Sequence, residues 1–203
     1  NQSQPYPLSH YPIFLAEIAS TFNENLLVRH VIDSESDDMF KLYILDQYID
    51  EFRGTLYRQT MFADFELEMH RYVESDQSLT PEWLDKKYLE LTRLYLGHKE
   101  KAMSVNKYIE TEWSVIPHFY YNFYVYQYST GIAAATALAK MVTEGGEQER
   151  KSYLNFLKSG YSKYPLDILK ETGVDLTTPH PIQLAINHFN ETITKMEQII
   201  EKI

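Results

Sequence analysis

The 203-residue sequence contains no cysteine. Disulfides, a thiol nucleophile and thiolate-held zinc are thereby excluded, and any metal must be held by nitrogen and oxygen donors from His, Asp, Glu or Tyr. Glycine is scarce, at 7 residues, and nowhere forms a phosphate-cradling loop. Neither a Gly-x-Ser-x-Gly elbow nor a complete His-Glu-x-x-His occurs, and none of the histidines, at positions 10, 30, 70, 98, 118, 180 and 188, makes an i, i+4 pair. Positive charge is short as well: 19 basic against 29 acidic residues give a net charge of -10. Such a chain repels phosphate backbones and anionic membrane surfaces, so neither nucleic acid nor membrane is an expected partner. There is no run of 18 apolar residues and no signal-peptide pattern, so the cytoplasm is the expected compartment.

What the sequence does have is apolar periodicity of the helical kind. Its length suits one sizeable core, and one domain is expected. "SLTPEWLDKKYLELTRLYLG" sets Thr80 as N-cap, Pro81 at the first helical position, Glu82 in the first turn and Gly97 as the stop. "MFKLYILDQYIDEFRGTLYRQTMFADFELEMHRYVES" reads as one long helix or two with a bend near Gly54. A loop from His98 to Asn106 leads to a helical stretch from Trp113 whose small residues, Gly131 to Ala139, suit close packing. Further helices are predicted near Glu147 to Ser159, Pro165 to Glu171 and His180 to Lys202. The polar, proline-broken opening "NQSQPYPLSHYP" reads as a connection arriving from an upstream part. No alternating strand pairs and no repeats appear, so the fold class is all-α.

Two constellations carry potential chemistry. In "LAEIASTFNE" the apolar residues from Ile13 to Ile32 cover nearly every direction of the helix, which predicts a buried helix with Glu17 and Glu24 on one side. A buried carboxylate needs a partner, a proton or a metal, so Glu17 is a paired or outward-pointing glutamate, a metal ligand, or an acid/base group. In "PHFYYNFYVYQY", a histidine is followed by seven aromatics in ten residues. As a helix this segment places Tyr121, Tyr124 and Tyr128 on one side and Phe119, Phe123 and Tyr126 on another, and most of these rings are expected in the core. Phenols beside an imidazole also suit a hydrolytic site, where they can donate hydrogen bonds to a developing oxyanion.

The segments "FLAEIASTFNENLL", "FADFELEMH", "IPHFYYNFYVYQYSTG" and "YPLDILKETGVDLTTPHP", in this order, resemble the C-terminal part of oligoendopeptidase F, of the thimet-oligopeptidase-like zinc peptidases. The likeness covers essentially the whole chain. It implies a multi-helix catalytic lobe in which residues 1–203 form one C-terminal piece of the catalytic domain. It also implies that Glu17 is the third protein ligand of a zinc ion whose two histidines and general-base glutamate lie in a His-Glu-x-x-His helix shortly before Asn1. Phe14 and Ala19 stand where thimet-type enzymes have Asp and Pro, while Ser20 matches. By the same resemblance His118 binds substrate backbone and stabilises the tetrahedral intermediate, with Tyr126 the leading phenol and Tyr121 and Tyr124 behind it. The implied substrates are short oligopeptides. The chain alone is expected to be inactive, and to be less stable than the whole protein or to self-associate through the apolar face that the ligand helix would cover. A stand-alone helical interaction module is the competing expectation, and an upstream reading frame with His-Glu-x-x-His discriminates the two.

Overall fold

A computed structural model describes residues 3–203. Among these residues there is no strand, and the all-α expectation holds. Asn1 and Gln2, which open the predicted upstream connection, lie outside the described residues. Eight α-helices occur among them: α1 (Ile13–Ser34), α2 (Asp38–Phe52), α3 (Arg58–Glu74), α4 (Pro81–Tyr95), α5 (Tyr126–Glu144), α6 (Glu147–Lys158), α7 (Pro165–Thr172) and α8 (His180–Ile200). They group into two compact units, one of residues 3–53 with Thr130–Ile203, the other Gly54–Ser129.

In the first unit the core is built from Leu15, Ile18 and Phe22 of α1, Ala134, Ala135 and Leu138 of α5, Tyr153 and Phe156 of α6, and Ile168 and Leu169 of α7. The small-residue run from Gly131 to Ala139 is buried throughout, as its lack of bulk predicted: with little side chain, other helices can come close. A Cβ added at Gly131 would stand 3.9 Å from the Cβ of Glu17, so α5 lies close against α1 at the carboxylate. Phe22 stacks on Tyr153 with ring centroids 3.7 Å apart. Helix α2 packs on α8, where Ile32, Leu45 and Ile199 form a smaller cluster. The opening segment is tied down rather than loose. Gln4 donates to the Lys158 carbonyl at 3.0 Å, and the Leu8 carbonyl accepts from the Tyr161 N–H at 2.8 Å. This crossing explains Gly160, whose φ is +52° and whose added Cβ would stand 2.3 Å from the Leu8 oxygen.

The second unit is built on α3 and α4, around Met61, Phe62, Phe65, Leu84, Tyr88 and Leu91. The α4 signals act as predicted: the Thr80 hydroxyl accepts from the Trp83 N–H, Pro81 opens the helix, and Gly97 ends it at φ +63°. Near Gly54, where a bend was expected, the chain between α2 and α3 is a π-helical turn, Arg53–Tyr57. Lys107–Val115, expected to run from loop into helix, is instead a 3-10 helix capped by Asn106. It is held by Glu112, which accepts from the Tyr88 hydroxyl at 2.5 Å and pairs with Arg58 at 2.5 Å, and by Trp113, which donates to Asp85 at 2.8 Å. Burial and the Glu112 carboxylate push the Tyr88 phenol well above its ordinary value, so it stays a donor.

Candidate functional site

In α1, the helix is not buried all round. Ile13 and Leu27 are exposed, Glu24 faces solvent and Glu17 is half-buried. The expectation of a carboxylate shut away from water is therefore corrected: apolar residues around the whole circumference do not require that every direction be covered, and here only the stripe of Leu15, Ile18, Phe22, Asn25 and Ile32 is buried. The Ser20 hydroxyl donates to the Glu17 backbone carbonyl at 3.1 Å, which leaves the carboxylate to other partners. The buried polar residue of α1 is Asn25, which accepts a hydrogen bond from the Tyr48 hydroxyl, itself 3.0 Å from His188 Nε2. This chain lines a cavity of about 290 Å³ within the first unit, with Arg29, Lys140 and Lys195 on its walls. Burial, with those three cations, holds the His188 imidazole below its usual range against the opposing pull of Glu191, and burial raises the Tyr48 phenol.

The aromatic segment of the second unit departs most from its sequence reading. It is not one helix. Pro117–Tyr121 is a 3-10 turn, Asn122 and Phe123 take φ of 49° and 56°, and α5 begins only at Tyr126. Two consecutive non-glycine residues on the left-handed side cost about 1–3 kcal/mol each and persist only where the surroundings impose them. The reversal throws several rings outward instead of into a core: Tyr120 is 77% exposed, Tyr121 60% and Tyr126 46%. Phe119 is the anchor, meeting Phe62 and Phe65 edge-on at 5.4 Å each.

The reversal gathers chemistry around His118. Its imidazole stacks with Tyr124 at 5.8 Å and meets the edges of Tyr121 at 6.0 Å and Tyr128 at 5.9 Å. Tyr121 and Tyr128 in turn pack on Tyr124 at 5.8 and 5.6 Å. The Tyr128 hydroxyl lies 3.5 Å from His118 Nε2, at the long end of hydrogen bonding. Of the sequence candidates, His118, Tyr121 and Tyr124 are thus brought together; Tyr126 stands at the exposed first position of α5. Tyr128 joins the cluster without having been singled out for chemistry, although it shared a predicted face with Tyr121 and Tyr124. An imidazole among phenols supplies N–H and O–H donors on one side of the chain, a set suited to carbonyl oxygens and oxyanions.

With this geometry in hand, the comparisons with known proteins decide the family. The sequence matches peptidase family M3 over residues 1–188. The chain belongs to that family. It is 46% identical over 200 residues to Oligopeptidase PepF of Bacillus subtilis, covering 98% of this chain and 29% of that protein. The fold superposes on the crystal structure of oligoendopeptidase-F from Enterococcus faecium with a TM-score of 0.88 and 43% identity, over 95% of this chain and 36% of that one. It superposes on a putative peptidase from Chlamydophila abortus with a TM-score of 0.90 and 41% identity, over 98% and 33%. The chain therefore spans about a third of the length of these relatives. Among the described residues no three His, Asp or Glu side chains converge to hold a metal ion. Catalytic zinc needs three protein ligands, so the described residues do not by themselves fit the ion. No helix among the described residues is long and apolar enough to cross a membrane.

Proposed function

We infer that this M3 chain is the C-terminal part of the catalytic domain of a zinc-dependent endopeptidase that hydrolyses short oligopeptides in the cytoplasm. The observation that carries the reading is the His118–tyrosine cluster standing on a chain of this family. In this reading His118 and a phenol hold the substrate's backbone and donate to the oxyanion of the tetrahedral intermediate. Tyr126 is the leading phenol, with Tyr121 and Tyr124 behind it, and Tyr128 is added by its approach to the imidazole. Glu17 is a protein ligand to the zinc, whose remaining ligands come from outside this chain.

Two measurements test this. Peptide cleavage by the full-length protein, assayed with zinc content, should be lost on chelation and return with metal; cleavage that survives full removal of metal overturns the zinc reading. Phenylalanine replacements of Tyr121, Tyr124, Tyr126 and Tyr128, one at a time, should single out the working phenol by a fall in kcat, and an unchanged rate in Tyr126→Phe removes Tyr126 from the role. The isolated 203-residue chain should neither cleave peptides nor hold stoichiometric zinc, and should self-associate or melt below the whole protein.

A further inference from the structure

The carboxylate most deeply buried among the described residues is not Glu17 but Glu66, at 2% exposure in α3. A glutamate in that position is costly unless its oxygens are satisfied, so what it binds is informative. Its Oε1 accepts a hydrogen bond of 2.6 Å from the backbone N–H of Phe123, the second residue of the left-handed pair and 57 positions away in sequence. One turn further along α3, His70 stacks on the Phe123 ring at 4.4 Å and 28°. Residues four apart on a helix share a face, so a single face of α3 grips Phe123 by its backbone and by its side chain at once. Phe65, next to Glu66, packs edge-on against Phe119 on the other side of the reversal. His118 and Tyr121 precede the reversal and Tyr124 and Tyr128 follow it, so their convergence depends on the turn that Glu66 holds.

We propose that Glu66 is a positioning residue for the His118–tyrosine cluster: its carboxylate fixes the Phe123 N–H, holds Asn122 and Phe123 in their left-handed conformation, and thereby sets where the imidazole and phenols point. The inference rests on the oxyanion role given to His118 above. Neither oxygen of Glu66 has to meet substrate. The acceptor is buried and the bond is short, so water competes little for the amide that it holds.

The test is made in the full-length peptidase with four variants, each checked for folding by far-UV circular dichroism. Glu66→Leu removes the acceptor, and kcat should fall by about 100-fold, the scale of a catalytic group misplaced by an ångström, with KM within about twofold. Glu66→Asp keeps the charge but withdraws the oxygen by one methylene; it should lose about tenfold in kcat and guards against a Leu variant that fails to fold. Glu66→Gln keeps an acceptor oxygen at the same place and should recover kcat to within about threefold of the parent. Hydrogen exchange at the Phe123 amide should speed up in the Leu and Asp variants and stay slow in Gln. Leu and Asp variants that fold and keep the parent kcat overturn the proposal, as does a Gln variant as impaired as Asp. His118→Ala separates the two levels of the argument: if it leaves cleavage intact, the oxyanion reading itself fails, whereas loss of cleavage in His118→Ala beside unaffected Glu66 variants sinks only the positioning role.

Discussion

The stretch of α1 around Glu17 and the stretch of α3 around Glu66 both place a glutamate within apolar helical sequence, yet the two carboxylates live differently. Glu17 is half-buried on a helix whose other side reaches solvent, and the buried polar partner of that helix is Asn25. Glu66 is buried within α3 and makes its bond to a distant backbone N–H. The difference teaches that burial of a charge is decided by what lies across from it. A helix surrounded by apolar letters can still leave a carboxylate accessible for a ligand, while a less conspicuous glutamate becomes structural once another segment brings it a donor.

Replacement of Glu17 gives the sharpest contrast. In the full-length peptidase, Glu17→Gln should lower both bound zinc and peptide cleavage by more than the roughly 10–100-fold that loss of a ligand's hydrogen-bond partner costs, with apo-protein stability within about 0.5 kcal/mol of the parent. Metal analysis beside chemical denaturation checks this, and a variant with normal zinc would place Glu17 beside Glu66 as a structural carboxylate. Next, Phe119→Ala removes the ring packed on Phe62 and Phe65 and should cost about 2–3 kcal/mol in urea unfolding, somewhat below a fully buried Phe because Phe119 is half-buried. A cost near zero would mean that the Glu66 region is held by its hydrogen bond alone.

Within the α1 region, Asn25→Ala strips the acceptor from the buried Tyr48 hydroxyl and should cost about 1–2 kcal/mol by the same assay. The same network predicts a pH dependence. The folded His188 pKa lies below that of the unfolded chain, so its contribution is fully present above about pH 6.5 and is lost as pH falls through the lower folded value. Urea midpoints at pH 7.5 and pH 5 should differ less in His188→Gln than in the parent. Smallest of all, Gly54→Ala lies between the two stretches, where an added Cβ meets nothing within 4 Å. It should stabilise by about 0.5–1 kcal/mol through loss of unfolded-state freedom and leave catalysis alone.

Much of the scaffold could be read from residue order. The α4 boundaries followed from Thr80, Pro81 and Gly97, and the interruption at Gly54 from a glycine inside a helical pattern. The aromatic segment could not be read in the same way. "HFYYNFYVYQY" has helical spacing and no glycine, and its single turn signal is Asn122, a residue that tolerates positive φ better than most. Reading that asparagine as a turn would have broken the helix at the right place. The partner that imposes the turn, Glu66, sits far away in sequence and carried no mark distinguishing it from the surface glutamates around it.

The sequence by itself determined the helical class, the caps and stops of the helices, the absence of thiol chemistry, and the presence of a histidine followed by phenols, because these depend on local propensity and on which side chains exist. The tertiary structure alone decided which glutamate is buried, where the aromatic segment reverses, and which phenols gather on His118. Those outcomes depend on a buried carboxylate and an amide 57 residues apart meeting in the folded chain, and no local pattern encodes such a meeting.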